Sequence, residues 1–85
     1  MTDTPTSLVD RTLSAILRGI LSEAYGETLP PQDVLSRDLG VSRTVLREAL
    51  AVLRFCNVLD VRPKTGTKIN ERRVWKKAIL EGVEQ

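Results

Sequence analysis

Residues 40–50 decide the fold of this chain; they read Gly-Val-Ser-Arg-Thr-Val-Leu-Arg-Glu-Ala-Leu. Gly40 suits a sharp turn, and Ser42 is a good N-cap for the helix after it. Arg43 and Arg47 lie four residues apart, so they project from one face of that helix, one turn apart. This order is typical of the turn and second helix of a helix-turn-helix. Two guanidinium groups on one exposed face indicate that the helix reads DNA.

The charge of the chain is concentrated in its second half. The formal net charge of the 85 residues is only +2. Residues 1–41 carry three basic and six acidic side chains, whereas residues 42–77 carry ten basic and three acidic ones. The two remaining acidic residues lie in the C-terminal segment. A strongly cationic region of this kind predicts a polyanionic partner, and double-stranded DNA fits the helix-turn-helix.

Length and composition predict one small soluble domain with an aliphatic core. The chain is 41% hydrophobic and 28% charged, and its aromatic residues are Tyr25, Phe55 and Trp75. The single cysteine, Cys56, cannot form an internal disulfide. No apolar run approaches the roughly 20 residues needed to cross a bilayer, and the N-terminus is unlike a signal peptide. We therefore expect a cytoplasmic protein with no membrane contact.

Apolar periodicity predicts three helices. The first covers residues 7–25, with Ser7 as its N-cap, and is expected to end at Gly26. The second covers residues 32–39, with a buried leucine pair four residues apart. The third begins after Ser42 and closes over residues 55–57, where Asn57 tolerates a left-handed conformation. Its inward-facing residues are expected to be Val45 or Leu46, then Ala49, Leu50 and Leu53.

The pattern changes after the third helix. The composition of residues 58–62 and 67–69 predicts two short strands, and residues 63–66 between them, Pro-Lys-Thr-Gly, are typical of a turn. Residues 27–31 read as a connector because neither of their prolines fits inside a helix. Residues 71–83 look like another helix or a helical linker. Within it Trp75 and Ile79 lie four residues apart, so they could pack on the first helix or pair with another chain.

The expected fold is mainly α with a small β-hairpin, an α+β domain over residues 1–70, with a linker helix over residues 71–85. Arg43, Thr44 and Arg47 are the candidate base-contacting residues, because the start of a recognition helix meets base edges in the major groove. Glycine lets backbone amides approach phosphate, and lysines neutralise it. The candidate contacts to the DNA backbone are Ser42, Lys64, Thr65, Gly66, Thr67 and Lys68.

Leu29-Pro30, residues 35–50 and residues 58–67 together resemble the winged-helix DNA-binding domain of the GntR family of bacterial transcription regulators. The likeness runs from about residue 9 to residue 70 and is strongest to the FadR-type branch. It implies three helices plus a hairpin wing, and dimers that bind a palindromic operator as repressors. It also implies that Arg43 and Arg47 read bases, with Thr44 beside them. The wing tip would touch the minor groove or its phosphates.

The sequence departs from that family in several places, two of which bear on DNA contacts and on the effector. Residues 31–33 read Pro-Gln-Asp where the family has Ser or Ala, then Glu-Arg. This change removes a helix cap, and it places Asp33 where an arginine would contact DNA. The fifteen residues after Asn70 are also too few for the family's effector-binding and dimerisation domain. A small-molecule or metal effector would therefore bind a domain absent from this chain, and we expect no cofactor within it.

Two other classes of function compete with DNA binding. The same basic face could meet an acidic protein, in which case the domain would be a protein–protein interaction module. Steep salt dependence and preference for one duplex sequence would separate the two. An enzyme is not expected, because the chain has no histidine and Cys56, in an apolar context, reads as buried and inert. Asp33 and Asp38 read as solvated carboxylates.

Overall fold

A computed structural model of the chain describes residues 7–62, 66–77, 79 and 80. The predicted fold class is confirmed: three helices precede an antiparallel two-stranded hairpin. In chain order the elements are α1 (Leu8–Leu21), α2 (Gln32–Leu39), α3 (Arg43–Phe55), β1 (Leu59–Arg62), β2 (Gly66–Ile69) and a 3₁₀ turn (Arg72–Val74). Within the described residues, no helix is long and apolar enough to span a membrane.

Serine side chains begin two of the three helices, as the sequence predicts. Asp10 N–H donates to Ser7 Oγ at 3.0 Å, and Val45 N–H donates to Ser42 Oγ at 3.1 Å. Each bond satisfies one backbone donor that the first turn leaves without a partner. α2 begins after Pro31 without a side-chain cap, in keeping with the loss of a capping residue there.

Replacing Ser42 by alanine is expected to lower the free energy of unfolding by about 1 kcal/mol, because Val45 N–H loses its acceptor. Urea denaturation monitored by far-UV circular dichroism measures the difference. Ser14→Ala is the matched control, because Ser14 is an exposed serine inside α1 and alanine there favours the helix slightly. Equal midpoints for the wild type and Ser42→Ala would contradict the capping role.

All three helices end through the same hydrogen-bonded motif around one left-handed residue. Glu23, Gly40 and Asn57 have φ of 61°, 69° and 65°. In each case the next amide reaches back five residues: Ala24 N–H to Gly19 O, Val41 N–H to Ser36 O and Val58 N–H to Leu53 O. These bonds satisfy carbonyls that a helix end leaves free. The predicted stops at Gly40 and Asn57 are confirmed.

The predicted end of α1 at Gly26 is wrong, since the helix ends at Leu21. The chain turns at Glu23, and the Tyr25 ring then folds back over Gly19. A Cβ atom at Gly19 would collide with that ring, so only glycine allows this close approach. Partial burial of the Tyr25 phenol, together with the nearby negative charge of Asp38, raises its pKa above the usual value.

The core is aliphatic except for Trp75 and lies chiefly between α1 and α3. Leu46 is fully buried and Val45 only partly, which settles the alternative that the sequence leaves open. The other predicted inward residues of α3 are confirmed, and Leu39 and Val41 pack at the edge of the same cluster. The buried apolar residues are Ile16, Leu17, Leu29, Leu35, Leu46, Ala49, Leu50, Leu53, Val58, Leu59 and Trp75.

The connector between α1 and α2 also pairs with β2 through a short run of backbone hydrogen bonds. Leu29 N–H donates to Thr67 O at 3.0 Å, and Ile69 N–H donates to Glu27 O at 2.9 Å. Thr28 and Lys68 form an isolated antiparallel bridge. The start of the connector therefore ties β2 to the helical part of the domain, and it places Leu29 in the core.

The predicted helix over residues 71–83 is wrong in its first part. A 3₁₀ turn ends at Val74, Trp75 is extended with ψ of 148°, and helical structure resumes only at Lys77. The end of the predicted helix, residues 81–83, lies outside the described residues. Trp75 is 4% exposed, and its Nε1–H donates to Asn70 O at 2.9 Å. The core alternative for this tryptophan is thereby confirmed.

Candidate nucleic-acid interface

The first two turns of α3 present the predicted base-contacting residues to solvent. Arg43, Thr44 and Arg47 are exposed, as is the capping residue Ser42. The opposite face of α3 is fixed in the core by its buried Leu46, Ala49, Leu50 and Leu53. The two arginines therefore project about 6 Å apart along the axis of a helix held rigidly from behind.

Within the described residues, neither the Arg43 nor the Arg47 guanidinium forms an ion pair. Salt bridges among residues 7–62, 66–77, 79 and 80 join Arg62 to Asp60 at 2.8 Å and Arg73 to Glu71 at 2.7 Å. None of them involves Arg43 or Arg47. Their positive charge remains available for an anion, which is what a DNA-reading face requires.

A concave surface lies between α3 and the hairpin, and we name it the α3–hairpin groove. It encloses about 170 Å³. Leu50 and Leu59, which are buried, form its apolar base. The residues that line the groove are Gln32, Arg47, Leu50, Ala51, Arg54, Leu59, Val61 and Thr67. Arg47, on the exposed face of α3, therefore borders a groove whose other wall is formed by the hairpin.

The hairpin register divides the predicted wing residues between two faces. Val61 is paired with Thr67, and Asp60 is paired with Lys68. Because successive side chains of a strand point to opposite faces, Thr67 and Val61 face α3 and line the groove. Lys68 lies on the other face of the sheet.

The remaining predicted wing residues are Lys64, Thr65 and Gly66. Gly66 begins β2 with φ of 87°, a conformation that favours glycine. Lys64 and Thr65 lie outside the described residues.

Gln32 and Arg54 are groove residues that are absent from the predicted site. Arg54 comes seven residues after Arg47 and three after Ala51, a spacing that places all three on one face of a helix. That spacing is a usable signal, although Arg54 lies beyond the first two turns of α3, where base contacts are expected. Gln32 reaches the groove through the crossing of α2 and α3, which no local pattern reveals.

Three residues outside the groove can be compared with their predictions. Asp33 and Asp38 are exposed, as predicted. The predicted burial of Cys56 is wrong in degree, because this side chain is only partly buried against the core. In the described part of the chain, no group of three or more His, Cys, Asp or Glu side chains could hold a metal ion.

A family model described as "Bacterial regulatory proteins, gntR family" matches residues 7–69. The chain belongs to the GntR family. The uncharacterized HTH-type transcriptional regulator Rv0494 of Mycobacterium tuberculosis is 40% identical to this GntR domain over 57 residues, which are 67% of the chain and 23% of that regulator. The mannosyl-D-glycerate transport/metabolism system repressor MngR of Escherichia coli is 36% identical over 67 residues, or 79% of the chain and 27% of that repressor.

A solved structure agrees with these matches. Streptococcus agalactiae GntR is similar with a TM-score of 0.67 and 37% identity, over 78% of this chain and 33% of that one. The GntR domain is therefore a helix-turn-helix DNA-binding domain of a transcription regulator. Its family and relatives are regulators rather than enzymes. The chain spans 23% and 27% of the lengths of these two curated relatives.

Proposed function

We propose that this GntR domain binds an operator by placing the start of α3 in the major groove. Arg43 and Arg47 would then bond guanine edges, with Thr44 beside them. The observation that carries this proposal is an exposed arginine pair, without a salt bridge among the described residues, on a helix whose other face is buried. In this arrangement the helix needs no rearrangement to present two charged, multidentate donors.

The wing and Ser42 supply contacts to the DNA backbone in the same proposal. Thr67 lies beside α3 in the groove, so it can reach the same segment of duplex as Arg47. Gly66 begins β2, and we expect it, together with Lys64 and Thr65, to contact phosphates or the minor groove. Lys68, on the far face of the hairpin, would act through its charge at longer range.

The role of the whole regulator is an extension of this proposal. A FadR-type homodimer on a palindromic operator would place two such domains one helical turn apart, or a multiple of it. Repression is supported by the relative from Escherichia coli, whose name describes a repressor. No cofactor is needed by the DNA-reading surface, so an effector would bind elsewhere in the full regulator.

Selection of bound duplexes from a random pool, and then titration of the winning sequence at several salt concentrations, tests the proposal. Contacts to about four to six phosphates predict a slope of log K against log salt of about −4 to −5. The selected duplex should also bind orders of magnitude more tightly than a scrambled one. Weak, salt-insensitive binding without sequence preference would instead favour the protein–protein alternative.

A further inference from the structure

Arg54 occupies the far end of the surface that carries Arg47. It lies in the last turn of α3, is exposed, and lines the α3–hairpin groove together with Arg47, Gln32 and Thr67. Seven residues of helix separate the two arginines by about 10.5 Å along the axis. The groove is therefore lined by two guanidinium groups and by the neutral hydrogen-bonding side chains of Gln32 and Thr67.

Within the described residues, no acidic side chain neutralises the charge of Arg54. Asp60 lines a neighbouring hollow with Arg54, but its carboxylate accepts from Arg62 Nε at 2.8 Å. Among the residues that the structure describes, Arg54 forms no salt bridge. A cation near a helix C-terminus interacts favourably with the helix dipole. The helix dipole alone, however, does not explain why Arg54 borders the groove or why its guanidinium forms no salt bridge within the described residues.

The spacing along α3 indicates which part of DNA Arg54 meets. The major groove is about 8.5 Å deep, so a helix that enters by its first two turns leaves a residue about 10.5 Å beyond Arg47 at the rim. Phosphates, rather than base edges, line that rim. The hairpin wall of the α3–hairpin groove lies beside the same point, so a phosphate there would be enclosed from two sides.

We propose that Arg54 binds a DNA phosphate in the α3–hairpin groove, with Gln32 and Thr67 as neutral donors beside it. The contact would fix how deeply α3 enters the major groove without contributing to sequence preference. The inference rests on the proposed function, because it requires that the start of α3 faces DNA.

The test compares Arg54→Gln with Arg18→Gln on the selected duplex and on a scrambled one. Arg18 is the matched control, because it is an exposed arginine in the last turn of α1. Loss of one phosphate contact should weaken binding of Arg54→Gln about 5- to 10-fold on both duplexes and flatten the salt slope by about one. Arg18→Gln should change affinity less than about twofold. Arg54→Lys keeps the charge and should retain the wild-type slope.

The possible results separate the inference from the proposed function. Unchanged affinity and slope for Arg54→Gln, with normal sequence-specific binding by the wild type, would overturn the phosphate contact alone. A change of preference at one base pair would overturn it too, by making Arg54 a base reader. If the wild type shows no salt-dependent duplex binding, the proposed function fails and the inference fails with it. Arg54→Gln should unfold thermally near the wild-type midpoint. Its weaker DNA binding then results from the lost contact and not from loss of folded protein.

Discussion

Replacing Trp75 by alanine is expected to lower the free energy of unfolding by about 3–5 kcal/mol. Trp75 is 4% exposed and belongs to the core cluster, so truncation removes a large apolar surface and leaves a cavity. The change also leaves Asn70 O without the indole donor that lies 2.9 Å away. Because a small domain has about 5–15 kcal/mol in total, this loss is a large share of its stability.

The measurement is urea denaturation monitored by far-UV circular dichroism, since the variant lacks the single tryptophan of the chain. Val74→Ala is the matched control, because the side chain of Val74, the residue before Trp75, is 47% exposed. This variant should change the free energy of unfolding by less than about 0.5 kcal/mol. Trp75→Phe keeps most of the apolar area and loses the hydrogen bond, so a smaller loss of about 1 kcal/mol is expected. A wild-type midpoint for Trp75→Ala would show that the segment after the hairpin is not part of the fold.

Trp75 also helps to join the segment after the hairpin to the recognition helix. Lys76 N–H donates to Cys56 O at 2.8 Å, and Asn70 Nδ2–H donates to Asn57 O at 3.1 Å. Lys76 Nζ lies 4.3 Å from the centroid of the exposed Phe55 ring. The segment after β2 is thus bonded to the C-terminal end of α3.

Elements with strong local signals could be predicted from the sequence. α2 covers residues 32–39 as expected, because two helix-breaking residues bound it: Pro31 before it and Gly40 after it. The cap at Ser42 and the left-handed stop at Asn57 result from side-chain chemistry within a few residues. Local rules succeed where the deciding contact is itself local.

The errors arise where distant contacts decide the backbone. α1 ends just before left-handed Glu23, and the Tyr25 ring then packs over Gly19, a chain reversal that the apolar spacing of α1 does not reveal. The residues after β2 have helical spacing, yet Trp75 is held extended in the core. The pairing of the α1–α2 connector with β2 likewise requires knowledge of the tertiary fold.

The candidate site likewise combines features that the sequence predicts with features that only the tertiary fold determines. Exposure of Arg43 and Arg47 is expected from the amphipathic pattern of α3, and the structure bears it out. The separation of Thr67 from Lys68 depends on the hairpin register, because a shift of one residue would exchange their faces. The inclusion of Gln32 and Arg54 depends on how α2, α3 and the hairpin meet around one groove.

Arg47→Ala is expected to weaken binding to the selected duplex by about 1–3 kcal/mol and to reduce preference at one base pair. Arg47 projects from the recognition face and also borders the α3–hairpin groove. A guanidinium that donates to both O6 and N7 of guanine discriminates against the other bases, and alanine cannot replace either bond. The fold should be unaffected, because Arg47 is exposed and forms no salt bridge within the described residues.

Arg47→Lys separates base reading from charge. Lysine keeps the positive charge but lacks the planar fork that bonds two acceptors at once. We therefore expect Arg47→Lys to retain the wild-type salt slope and to lose preference at the same base pair as Arg47→Ala. Repeating the duplex selection with each variant measures the preference directly. If Arg47→Ala instead weakens binding to every duplex by one common factor, Arg47 contacts only phosphate, and the base reading must then come from Arg43 and Thr44.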